Sequence, residues 1–168
     1  MADTGNAVGK VDAAGRHELD GADEEKKQYI VVRIGGERYG MDISLVDNIV
    51  RMQKITRVPK APYHYRGVIN LRGEVVPVMS IRRKMGLEDD EFTHATRIII
   101  AKMEEQGLVG MIVDSVNEVI ALGESEIDRS VNDSKKSDHM FINGIGKNGD
   151  ELISIFEINA IVDSIDTF

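Results

Sequence analysis

The chain has 168 residues, 42% hydrophobic but only 5% aromatic, with no tryptophan, no cysteine and a formal net charge of −8. That suits one domain or two small lobes with a core of Val, Ile, Leu and Met, and it excludes disulfides and thiolate metal sites. The negative field disfavours nucleic acid and anionic membrane; no stretch suits a bilayer span or a secretory signal, so a cytoplasmic protein is expected.

Residues 1–27 are rich in Ala, Gly and charge and carry almost no large apolar side chain. Such a segment cannot bury enough surface to offset its ordering entropy, so a disordered tail is expected. From Gln28 the character changes. Tyr29–Ile34 reads as a strand, Gly35-Gly36 as a two-residue turn and Glu37–Met41 as the returning strand. Asp42 or Ser44 can then cap a short helix through about Val50, because Ile43, Val46, Ile49 and Val50 recur at helical spacing. Ile55–Pro62 is a connector stiffened by two prolines. His64, between two tyrosines, reads as a packing histidine.

The segment Gly67-Val-Ile-Asn-Leu-Arg-Gly73 and the apolar run Glu74–Ile81 predict a hairpin with Arg72 at or near its tip. An arginine held at a glycine turn between buried strands is either a fixed recognition point or a solvated turn charge. Pro77 lacks a backbone donor and predicts an edge or a bulge at that point of its strand. Arg82-Arg83-Lys84 is a basic turn that Gly86 can end, and Glu88–Glu91 reads as a solvated acidic loop without calcium-loop spacing.

Thr96–Met103 and Leu108–Val113 read as strands around a turn at Glu104–Gly107, continued past a bend by Val116, Val119, Ile120 and Leu122. Asp128–Asp138 is polar and loop-like. Met140–Asn143 and Glu151–Phe156 flank an Asn148-Gly149 turn, and Glu157–Ile165 can close the chain as a helix.

The two halves repeat each other at an offset near ~70 residues. Gly40-Met41 with Ile43, Val46, Ile49 and Val50 matches Gly110-Met111 with Val113, Val116, Val119 and Ile120. Ile69-Asn70 matches Ile142-Asn143, and Val75-Val76-x-Val78 matches Leu152-Ile153-x-Ile155. The fold class expected is mainly β: two similar small barrel lobes packed together, with short helices. No nucleophile elbow, metal-spaced histidine pair or working carboxylate pair is present. Gly144-Ile-Gly-Lys147 is better explained by a hairpin turn than by a phosphate loop. This is the profile of a binding module without catalytic machinery.

Gly67-Val-Ile-Asn-Leu-Arg-Gly73 with Val76-Pro77-Val78, then Gly110-x-x-Val113-Asp114 and Ile153–Ile158, resembles the chemotaxis coupling proteins, the CheW-like family, over residues 28–163. The resemblance implies two five-stranded barrels around a shared core, with lobes roughly 28–95 and 96–168, intertwined. It implies a non-enzymatic adaptor, with no cofactor, that joins the cytoplasmic hairpin tip of methyl-accepting chemoreceptors to the regulatory domain of a sensor histidine kinase. It also implies recruitment to receptor arrays at the inner face of the membrane. Carried over by position, Arg72, Val46, Asn48, Val113, Asp114 and Val116 would meet the receptor; the kinase-facing residues are not assigned. Asn48 stands where many members have Glu, which removes a possible ion pair, and Ser115 stands where many have Gly, which stiffens the bend. With no receiver or kinase domain attached, a stand-alone coupler is expected. A small barrel binding nucleic acid or a small ligand is the alternative. Arg82, Arg83 and Lys84 favour it and the net charge opposes it.

Overall fold

The structure is a computed structural model that describes residues 24–130 and 141–163. The first 23 residues of the expected tail and most of the loop expected over 128–138 lie outside the described residues. Strand β1 (Lys26–Ile34) already begins inside the segment expected to be tail. β2 (Glu37–Asp42), β3 (Val46–Arg51), β4 (Tyr65–Leu71) and β5 (Glu74–Ser80) follow, then the short helix α1 (Ile81–Lys84). The second half supplies β6 (Arg97–Met103), β7 (Gly107–Val113), β8 (Ser115–Gly123), β9 (Ile127–Asp128), β10 (Ile142–Asn148), β11 (Glu151–Phe156) and helix α2 (Ile158–Asp163).

These strands form two sheets, ordered β9-β10-β11-β2-β1-β8 and β3-β6-β7-β5-β4. The fold is mainly β, as the repeat and the resemblance predict. Strand alternation explains why the apolar runs are so dense. Ile30, Val32 and Ile34 face a core shared by both sheets, whereas Tyr29 and Val31 face a smaller core enclosed by the first sheet alone. Likewise Ile99, Ala101 and Met103 enter the shared core, while Ile98 and Ile100 join Ile69, Val76, Val78 and Ile112 inside the second sheet. A strand buried on both faces needs apolar residues at every position.

Each sheet curls to enclose its own core. A Cβ on Gly146 of β10 would lie 2.6 Å from Leu122 Cδ1 of β8, although three strands separate the two along the sheet. In the second sheet, the backbone bridge between Thr56 and Val68 joins the segment after β3 to the opposite edge strand, β4.

The repeat is visible in three dimensions, with an exchange. In one sheet β11 runs parallel to β2 with Ile155 beside Gly40; in the other β5 runs parallel to β7 with Val78 beside Gly110. Val78 and Ile155 are repeat equivalents, as are Gly40 and Gly110. The first hairpin of each repeat therefore pairs with the later strands of the other, and the sheets do not divide the chain at residue 95. Both glycines face a barrel core. A Cβ on Gly110 would meet Ile98 Cγ2 at 2.8 Å, and one on Gly40 would meet Ile155 Cδ1 at 3.0 Å.

Several local expectations are corrected. The helix expected over 42–50 is one 3-10 turn (Ile43–Leu45) and then strand β3. Asp42 does cap, its Oδ1 accepting from the Ser44 backbone N–H at 2.9 Å and from Ser44 Oγ at 2.8 Å. Beyond it, Val46, Asn48 and Val50 alternate with exposed Asp47, Ile49 and Arg51, and β3 pairs with β6. Pairing with a buried strand overrides an ambiguous periodicity. β5 is an inner strand, not an edge, at Pro77. Pro77 sits opposite Val68, whose N–H and C=O both turn away to Thr56, and the ladder with β7 starts only at Val78. No partner strand therefore needs the missing donor. The last hairpin turns at Gly149-Asp150, one residue later than expected, with Gly149 at φ 65°. The acidic loop is not simply solvated. Asp89 binds Arg83, and the Asp90 side chain is only 2% exposed and accepts a hydrogen bond from Ser80 Oγ at 2.6 Å.

Candidate functional site

Arg72 is at the tip of the β4–β5 hairpin, as expected. Leu71 pairs with Glu74, which leaves Arg72-Gly73 as a two-residue loop. Both loop residues have left-handed backbone, φ 53° and 84°, the geometry that matches the twist of the flanking strands. Asn70 stabilises the loop by accepting from the Gly73 N–H at 3.0 Å. The Arg72 side chain is 68% exposed, and its NH2 lies 3.5 Å from Asp47 Oδ2. Asp47 falls at the register shift of β3, between Val46 and Asn48. The carboxylate beside Arg72 is therefore that of Asp47. Asn48 instead turns its Oδ1 to the Ile49 N–H at 2.8 Å. Val46 is half-buried against the shared core.

The other candidates gather elsewhere. Val113 is 0% exposed and belongs to the shared core, so its side chain is not a contact surface. Residues of β7 alternate between two buried faces, so the apolar character of this strand is core packing. Val116 is half-buried against the same core, opposite Val32 of β1. β5 and β7 end side by side, so Asp114, just after β7, and Arg72, just before β5, lie at opposite ends of the sheet. The separation is on the order of 20 Å along a seven-residue strand.

Asp114 is a clasp between the sheets. Its Oδ1 accepts from Arg82 Nε at 3.1 Å, and its Oδ2 accepts from Arg82 NH2 at 2.6 Å and from the Gly35 N–H at 2.9 Å. Arg82 follows β5 in the second sheet, and Gly35 turns between β1 and β2 in the first. Burial alone would raise the Asp114 carboxyl. The hydrogen bonds from Arg82 and Gly35, with the nearby positive charge, outweigh it and hold the group below the usual carboxylate range. Sequence reasoning missed Arg82 and Asp47 as partners. Both pairings cross between segments far apart in the chain, and no local spacing encodes them.

Two curled sheets around a shared core, with a rigid arginine turn displayed at one end, define a protein-binding module built by internal repeat. Among the described residues, no helix is long and apolar enough to cross a membrane. The model of the CheW-like domain matches residues 28–166, and the chain belongs to that family. It is 38% identical over 137 residues to the chemotaxis protein CheW of Bacillus subtilis, covering 82% of this chain and 87% of that protein. It is 34% identical over 139 residues to that of Helicobacter pylori, covering 83% of each. The fold resembles the crystal structure of the scaffolding protein TtCheW from Thermoanaerobacter tengcongensis, with TM-score 0.72 and 34% identity, covering 79% of this chain and 89% of that one. The protein is a non-enzymatic chemotaxis adaptor.

Proposed function

We propose that this adaptor couples chemoreceptors to a sensor histidine kinase at the inner face of the membrane, and that the Arg72 turn is a receptor contact. The observation that carries the second part is the Arg72–Asp47 arrangement. A left-handed two-residue turn fixes the backbone of a highly exposed arginine, and a single carboxylate 3.5 Å away braces it without neutralising its whole fork. Five donors in a planar fork suit a carboxylate or the free carbonyls at a helix end, the groups that a helical hairpin tip presents. Val46 and Asn48 lie beside Asp47 on the same strand and complete this contact. Asp114 and Val116 belong to a second region near the sheet junction, where Asp114 acts by holding the sheets together. Val113 supports that region from the core.

Arg72→Glu is expected to leave folding nearly intact and to weaken receptor binding by ~1.5–3 kcal/mol, the scale of a charge-assisted hydrogen bond. Co-sedimentation of this protein with a clustered receptor cytoplasmic fragment and a kinase regulatory domain checks it. The kinase domain should sediment only when the adaptor is present, and less with Arg72→Glu. Equal sedimentation without the adaptor would end the coupling proposal; equal sedimentation with the variant would end the role of Arg72. Asp47→Ala should change stability by less than ~0.5 kcal/mol, because the pair is exposed.

A further inference from the structure

The connector between β3 and β4 lines a cleft of about 920 Å³ at the far end of the β4–β5 hairpin from Arg72. Four of its lining residues are cations, Arg57, Lys60, Arg66 and Arg83, and none is acidic. This is a local reversal of sign in a chain of net charge −8.

Two of the four are locked in place from behind. Arg66 NH1 donates to Asp89 Oδ1 at 2.9 Å, and its guanidinium lies 4.8 Å from the Phe92 ring centroid. Arg83 forks onto both oxygens of Asp89 at 2.8 and 2.9 Å, donates to the Tyr63 carbonyl at 2.9 Å and covers the Tyr63 ring at 4.4 Å. The Arg83 hydrogen bonds are the largest cause holding the Asp89 carboxyl well below its usual range, so this brace stays charged. The other two cations, Arg57 and Lys60, have no acidic partner among the described residues. Lys60 also holds a left-handed backbone, φ 65°, which is uncommon for a side chain of its size. Asp89 and Asp90 behind the cleft offset only half of its positive charge. Tyr63 is 69% exposed, and Arg83 covers just one face of its ring.

Unpaired cations beside an open aromatic face, on a rigid arginine wall, suit a phosphate attached to a flat ring. We propose that this cleft binds a nucleoside phosphate, with the phosphates on Arg57 and Lys60 and the base stacked on the free face of Tyr63. The site is an addition to the adaptor role and does not depend on it, because the binding can be measured on this protein alone.

The test is calorimetric titration of the whole chain with ADP and with pyrophosphate, at low and at high salt. The comparison variants are Arg57→Glu with Lys60→Glu, and Tyr63→Ala. The altered side chains are solvent-facing, and circular dichroism should report unchanged folding. ADP should bind more tightly than pyrophosphate, lose affinity as salt rises, and lose roughly tenfold or more in each variant. Absence of ADP binding at millimolar concentration would overturn the proposal, as would binding that both variants retain. Pyrophosphate binding as tightly as ADP, with Tyr63→Ala neutral, would overturn the nucleoside assignment. An acidic peptide that binds here and that ADP fails to displace would overturn it in favour of a macromolecular partner.

Discussion

Gly67→Ala is expected to destabilise the protein by ~3–5 kcal/mol, from two backbone hydrogen bonds lost and a strained backbone imposed. Gly67 has φ 141°, and a Cβ there would lie 2.2 Å from the Thr56 carbonyl oxygen. That oxygen accepts from the Val68 N–H at 2.8 Å, and Val68 returns the bond through its own carbonyl to the Thr56 N–H at 2.8 Å. The added methyl cannot share the space with backbone, so the bridge that closes the second barrel must open. Urea unfolding with fluorescence or far-ultraviolet circular dichroism measures the loss. Gly73→Asn is the control. Gly73 also has positive φ, 84°, but no atom lies within 4 Å of its Cβ position, and asparagine tolerates that conformation. A cost below ~1 kcal/mol is expected there. Equal costs at the two positions would show that φ alone, not the close approach to Thr56, governs Gly67.

Asp114→Ala is the second large effect, ~2–3 kcal/mol, because it leaves Arg82 and the Gly35 N–H without their shared acceptor. Asp114→Asn should cost less, since an amide oxygen can still accept from Gly35. The pH dependence has a definite sign. The folded carboxyl is depressed, so its contribution is present above the unfolded value near ~4 and is lost as pH falls through the lower folded value. The unmodified protein should therefore lose more stability than Asp114→Asn as pH drops below about 4. Equal losses would mean that the clasp is not electrostatic. A receptor-binding defect in an Asp114 variant has to be read beside its stability, because this residue joins the sheets. Arg72→Glu does not carry that ambiguity, since its side chain is 68% exposed and, among the described residues, pairs by charge with Asp47 alone.

Much of this molecule is legible in the residues themselves. The Gly35-Gly36 turn and the Gly73 turn declare their hairpins, because glycine is favoured where a tight loop needs positive φ. The dense Val and Ile runs announce buried strands, and the matched Gly-Met, Ile-Asn and Val-x-Val signatures announce the repeat. Arg72 could be placed at its tip from the turn alone. The stretch over 42–50 could not be resolved, because four apolar positions there fit a helix face and a strand about equally. Only the pairing partner β6 decides between them.

The sequence by itself therefore determined most of the strands and turns, the two-fold repetition and the displayed arginine, since each follows from local backbone preference or from the spacing of residues along the chain. The tertiary structure alone decided that each repeat lends its first hairpin to the other's sheet. It alone put Asp47 rather than Asn48 beside Arg72, locked Asp114 to Arg82 and buried Val113. Those outcomes depend on which buried surfaces meet, and parallel pairing between strands that are not neighbours in the chain, Val78 with Gly110 and Ile155 with Gly40, leaves no periodic mark in either partner.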